Sequence, residues 1–90
     1  MGNKENSSLA LAARIMADEL AQQLKTRTGA KWEVIAQIGH SQIRFTCQCG
    51  RYEQNSDSLN LMQLVHNGVY PAVTDQADKI SASYFVEKGL

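Results

Sequence analysis

Between Lys31 and Cys49 the chain reads KWEVIAQIGHSQIRFTCQC, two alternating apolar and polar runs hinged near Gly39-His40. This stretch restricts the possible folds more than any other. Alternation with period two sends successive side chains to opposite faces of a strand, and two such runs joined by a tight turn make a β-hairpin. With Gly39-His40 as the loop, Ile38 pairs with Ser41, Ala36 with Ile43, Val34 with Phe45 and Trp32 with Cys47. That pairing gathers every apolar residue but Ile35 on one face. The other face pairs Gln37 with Gln42, Ile35 with Arg44 and Glu33 with Thr46, and it sets Glu33 diagonal to Arg44. One face is a core surface and the other is polar.

A hairpin with one apolar face needs a cover. At 90 residues the chain is one domain that buries roughly 60% of its unfolded surface, so a helix has to supply that cover. The spacing from Ser8, an expected N-cap, to Arg27 meets the need: Leu9, Ala13, Met16, Leu20 and Leu24 fall on one helical face. Lys25 and Arg27 complement the dipole in the last turn, and Gly29 ends the helix. Leu11 and Ile15 lie off the stripe and either widen the buried face, the leading expectation, or serve an interface. Residues 1–7 are expected to form a disordered tail, with residues 8–90 a single domain.

Beyond Cys49, Gly50 marks a turn or bulge, and Arg51 to Asn55 either prolongs the second strand or folds back as a third. Ser56 or Ser58 is expected to cap a short helix running to about Asn67, with Leu59, Met62, Leu64 and Val65 apolar and Asn67-Gly68 as the stop. Tyr70-Pro71 then opens a connection. From Asp75 to Lys88 both helical and strand spacings fit; the acidic start and the Lys88-Gly89 ending favour a helix capped by Thr74. The expected fold is α+β: an N-terminal amphipathic helix on an antiparallel hairpin of two or three strands, followed by one or two short helices.

Few function classes fit such a chain. Its nine basic and nine acidic residues cancel, which argues against the positive field of non-specific nucleic-acid binding. The balance is polarised, with seven Lys/Arg against four Asp/Glu through Arg51 and two against five after it. No apolar run is long enough to span a membrane, and MGNKENSS leads straight into an Ala-rich segment, so a cytoplasmic protein without a signal peptide is expected. Cys47 and Cys49, with His40 and His66, suggest a zinc module. However, structural sites space the cysteine pair by two to four residues and here only one intervenes. On a strand both thiols point to the Ile43 and Phe45 side, about 6.8 Å apart along the chain, as core cysteines. His40 at the turn is too far from Cys47 for a nucleophile and base pair. Phosphate loops, HExxH and GxSxG are absent. No enzyme, metal or cofactor is expected.

The order helix, hairpin, possible third strand, helix resembles in outline the double-stranded-RNA-binding domain. The Gly39-His40-Ser41 turn looks like the Gly-Ser-His turn of HicA-type toxins, which share that outline over residues 8–67. The resemblance implies RNA or DNA contact through His40, Arg44 and Arg51. The order of the turn residues differs, though, and the stretch from Leu59 to Asn67 carries no Lys or Arg to hold phosphates. Protein binding is the leading expectation. The polar hairpin face, with Ile35, Gln37, Gln42, Arg44, Thr46 and Gln48, together with Arg51, Tyr52 and Tyr70, holds residue types enriched in interfaces. The free edge of the first strand offers pairing with another chain or a second copy. As a class analogy, a small neutral domain without catalytic motifs is what phage or mobile-element inhibitors look like, the anti-CRISPR class among them. Such inhibitors block a host protein complex sterically, and here the acidic set Glu53, Asp57, Asp75, Asp78 and Glu87 is a second candidate surface.

Overall fold

The computed structural model describes residues 3–89, with side chains from residue 9 onward. In chain order the elements are α1 (Asn3–Thr28), β1 (Glu33–Gly39), β2 (Gln42–Cys49), β3 (Tyr52–Asn55), β4 (Leu59–Asn60), α2 (Leu61–Asn67) and α3 (Val69–Lys88). The fold is α+β, as expected. β2 is the middle of an antiparallel sheet, with β1 on one side and both β3 and β4 on the other. α1 and α3 cover one face. Tyr70 and Thr74 lie beside Glu19 to Thr26 and Asp78 lies beside Arg27, so the two helices run in the same direction.

The core sits between these layers. Ala13, Met16, Leu20 and Leu24 of α1 and Val73, Ala77 and Ile80 of α3 close over Ile43, Phe45 and Cys47 of β2. Leu9, at the end of the expected stripe, is half-buried. Leu11 and Ile15 do not widen this face. Each is 60% exposed, because at 100° per residue they fall on the side of the helix opposite Ala13, Leu20 and Leu24. The helix also begins earlier than Ser8. No Gly or Pro interrupts residues 3–28, so nothing breaks its propagation, and residues 3–7, read as tail, are helical. Met1 and Gly2, the rest of that tail, lie outside the described residues.

The hairpin keeps its faces but changes its register. Ile38 pairs with Ile43, Ala36 with Phe45 and Val34 with Cys47, a slide of two residues that leaves each side chain on the expected face. The tip is now His40-Ser41, with Ser41 at a φ of 61°. This register sets Ile38 against Ile43 instead of Ser41, apolar against apolar, and extends the ladder to Gly39 and Gln42. The Ser41 carbonyl accepts a hydrogen bond from the Leu61 amide at 3.1 Å, which helps hold a conformation that costs an L-residue about 1–2 kcal/mol. Two expected contacts disappear with the slide. Glu33 stands opposite Gln48, away from Arg44, and Trp32 precedes the strand, its indole donating to Thr28 Oγ1 at 2.8 Å.

After β2 the chain folds back. Gly50, at a φ of 61°, and Arg51 form the turn, and Cys49 pairs with Tyr52. Between Asn55, opposite Thr46, and Leu59, opposite Ile43, the residues 56–58 face only two of β2, which makes a β-bulge. Ser56 is spent inside it. Its Oγ accepts from the Phe45 amide and its own amide donates to the Phe45 carbonyl, both at 2.8 Å. Asn60 therefore caps α2 in place of Ser56 or Ser58, accepting from Met62 and Gln63 at 2.9 and 3.2 Å. Of the apolar residues expected in this helix, only Leu64 is buried in it; Met62 and Val65 point outward. α3 begins at Val69, ahead of the expected Thr74 cap. Pro71 fits its first turn, where an amide would have no intrahelical acceptor in any case.

Candidate protein-binding surface

Alternation leaves the face of the sheet opposite the helices uncovered, and three strands contribute to it. Ile35 and Gln37 come from β1, Gln42, Arg44, Thr46 and Gln48 from β2, and Glu53 and Asn55 from β3. The strands fix which side chains meet across the ladders. Arg44 Nη2 donates to Gln37 Oε1 at 3.4 Å, Thr46 Oγ1 to Asn55 Oδ1 at 3.0 Å, and Gln48 Nε2 to Glu53 Oε1 at 3.3 Å. These bonds hold polar groups in register across the face. Ile35, 63% exposed opposite Thr46, is the large apolar residue among them.

Six of the expected binding residues thus share one surface: Ile35, Gln37, Gln42, Arg44, Thr46 and Gln48. Arg51 borders it at the β2–β3 turn, exposed. Tyr52 does not belong to it. Opposite Cys49 it faces the helices, where its ring packs edge-on against Trp32 at 6.0 Å and Tyr84 at 5.4 Å and its hydroxyl donates to Gln54. Tyr70 lies in the first turn of α3, 64% exposed beside Glu19, Gln22 and Thr26, on the helical layer. Sequence reasoning placed Glu53 only in the acidic set and missed Asn55, because the third strand was left undecided. With Tyr52 followed by three polar residues, the stretch to Asn55 carries no clear alternation, and Gly50 as a turn was the one signal available.

The other constellations are not brought together. His40 and Arg51 stand at opposite ends of β2, about 23 Å apart along the strand, so the residues of the nucleic-acid reading do not converge. Burial pushes the Cys47 thiol up to about 12, far from a reactive thiolate at neutral pH. Cys49 Sγ lies 3.9 Å from the Tyr84 hydroxyl. Among the described residues no three of His, Cys, Asp and Glu gather as metal ligands, and no helix is long and apolar enough to cross a membrane. The acidic set is partly neutralised. Lys79 bridges Asp57 at 2.9 Å and Asp75 at 3.4 Å, and Arg27 holds Asp78 at 2.8 Å.

No family model, curated protein or solved structure matches this chain.

Proposed function

We propose that this chain is a non-enzymatic protein-binding domain that uses the outer face of its sheet. The observation that carries the reading is the bare face itself: among the described residues helices cover one side only, while the other presents Ile35 among side chains joined by cross-strand hydrogen bonds. Ordered polar groups around an apolar contact suit a partner of matching shape, since their side-chain entropy is already partly spent. Near-neutral charge suits contact by shape over electrostatic attraction. Within this class the more specific proposal is a steric inhibitor of the phage or mobile-element kind, which needs a small rigid surface and no chemistry.

The test is affinity capture of the tagged chain from bacterial lysate, with and without nuclease, beside an Ile35→Glu, Arg44→Glu variant. Both substituted residues are exposed, so the fold is expected to persist. A stoichiometric protein that survives nuclease and is lost with the variant supports the reading. Nuclease-sensitive RNA or DNA, or capture that the variant leaves unchanged, overturns it.

A further inference from the structure

The lateral edge of β1 carries a second message, independent of the outer face. Among the described residues β1 is hydrogen-bonded to β2 alone, so its other edge presents unpaired backbone groups along seven residues, Glu33–Gly39. Edges of this kind are usually blunted by Lys, Pro or a bulge. EVIAQIG has none of these, and Ile38 on the inward-facing row remains 42% exposed at the edge.

We infer that this edge joins a second copy of the same chain, strand against antiparallel strand, about a dyad through Ala36. Three features select that occupant. The strand is self-complementary: a dyad at Ala36 engages the full strand and sets Val34 against Ile38 of the second copy on the helix side, all apolar, with Ile35 against Gln37 outside. Other centres leave part of the strand unpaired or bring Glu33 toward its own equivalent. The flank of α1 beside the edge is small, with Ala10 and Ala17 lining a shallow groove against Val34, Ala36 and Ile38, so two such helices can approach closely.

The third feature is charge. Arg14 and Asp18 rim this groove and neither is in an ion pair among the described residues. An Arg four residues before an Asp is the poorer order for pairing within a helix. Helical side chains lean toward the N-terminus, so Arg14 reaches away from its own Asp18. Across an antiparallel dyad it reaches toward Asp18 of the second copy, and the reciprocal pair forms by symmetry. The two sheets become one, and the outer faces join into a single two-fold surface.

Sedimentation of the full chain over a range of concentrations tests this. A mass approaching twice 10.0 kDa is expected, with Ile38→Lys abolishing association and Arg14→Glu raising the dimer dissociation constant at least about tenfold. Adding Asp18→Arg to Arg14→Glu exchanges the charges and restores it. As a second arm, Ala36→Cys in a Cys49→Ser background links two chains through a disulfide under mild oxidation. A chain monomeric at every concentration, or a dimer indifferent to Ile38→Lys and to charge reversal, overturns the inference. The outer face is distinguished by the same variant: the Ile38→Lys monomer still captures a partner if that face binds one.

Discussion

The two lateral sides of this sheet are built differently. Beside β2 on one side lie β3 and β4, four and two residues long, broken by the bulge at 56–58 and tied down from α3. There the Asp57 amide donates to Gln76 Oε1 at 3.0 Å, and the Asp57 carboxylate accepts from Gln76 Nε2 at 3.0 Å and from Lys79 at 2.9 Å. On the other side β1 is longer, unbroken and charged only at Glu33. Short strands, a bulge and charge are the usual devices that stop a sheet from pairing onward. All three stand on the side of β3 and β4, whereas β1 has only the charge of Glu33, and the strand partner proposed above rests on that difference.

The deepest cut at this contrast is Ile43→Ala. Ile43 is 1% exposed and pairs with Ile38 of β1 and Leu59 of β4, so it supports both sides at once. A loss of about 2–5 kcal/mol is expected in urea unfolding; a loss below about 1 kcal/mol would mean that the two sides do not share this residue as their support. Ser56→Ala is next and acts on the guarded side only. It strips the buried acceptor from the Phe45 amide and is expected to cost about 1–3 kcal/mol in the same assay, with protection of the Phe45 amide from hydrogen exchange falling in step. Unchanged protection would show that the bulge does not depend on that hydroxyl.

A smaller effect follows pH. Hydrogen bonds from Lys79 and Gln76 and the Lys79 charge hold the Asp57 carboxyl below its ordinary value of 3.8. A carboxyl depressed in the folded state stabilises the fold above its unfolded pKa, and that contribution is lost as pH falls through and below this range. The difference in melting temperature between the native chain and Asp57→Asn is therefore expected to be constant near neutrality and to shrink below about pH 4. A difference that persists in acid would exclude the carboxylate as its source. The smallest change in monomer stability is expected on the open side, where Ile35→Lys stays within about 0.5 kcal/mol at low concentration because Ile35 packs against little. A larger loss would show that Ile35 is part of the core.

Much of this architecture was legible in the residues. The alternation in β1 and β2 sorted Ile43, Phe45 and Cys47 inward and Gln42, Arg44 and Gln48 outward. The sorting survived the slide in register because a shift of two preserves strand parity. The stripe of α1 was equally readable, since it repeats a local period, whereas residues 75–88 fitted both periods and only the acidic start and the Lys88-Gly89 ending pointed to a helix. The candidate surface was legible as far as it rested on that parity and failed at Tyr52 and Tyr70, whose places depend on where β3 and α3 lie.

What the sequence determined by itself is therefore the periodic part of the molecule: which side of each strand and helix is apolar, and hence an α+β fold with one covered sheet face. Only the tertiary structure decided the rest. It chose the register in which Ile38 meets Ile43, turned Tyr52 inward against Trp32 and Tyr84, used Ser56 in a bulge so that Asn60 capped α2, and left Leu11 and Ile15 in solvent. The reason is physical. A local period fixes the direction of a side chain relative to its own backbone, whereas register, caps and aromatic contacts depend on free-energy differences of a few kcal/mol between groups far apart in the chain, settled only when those groups compete for the same space.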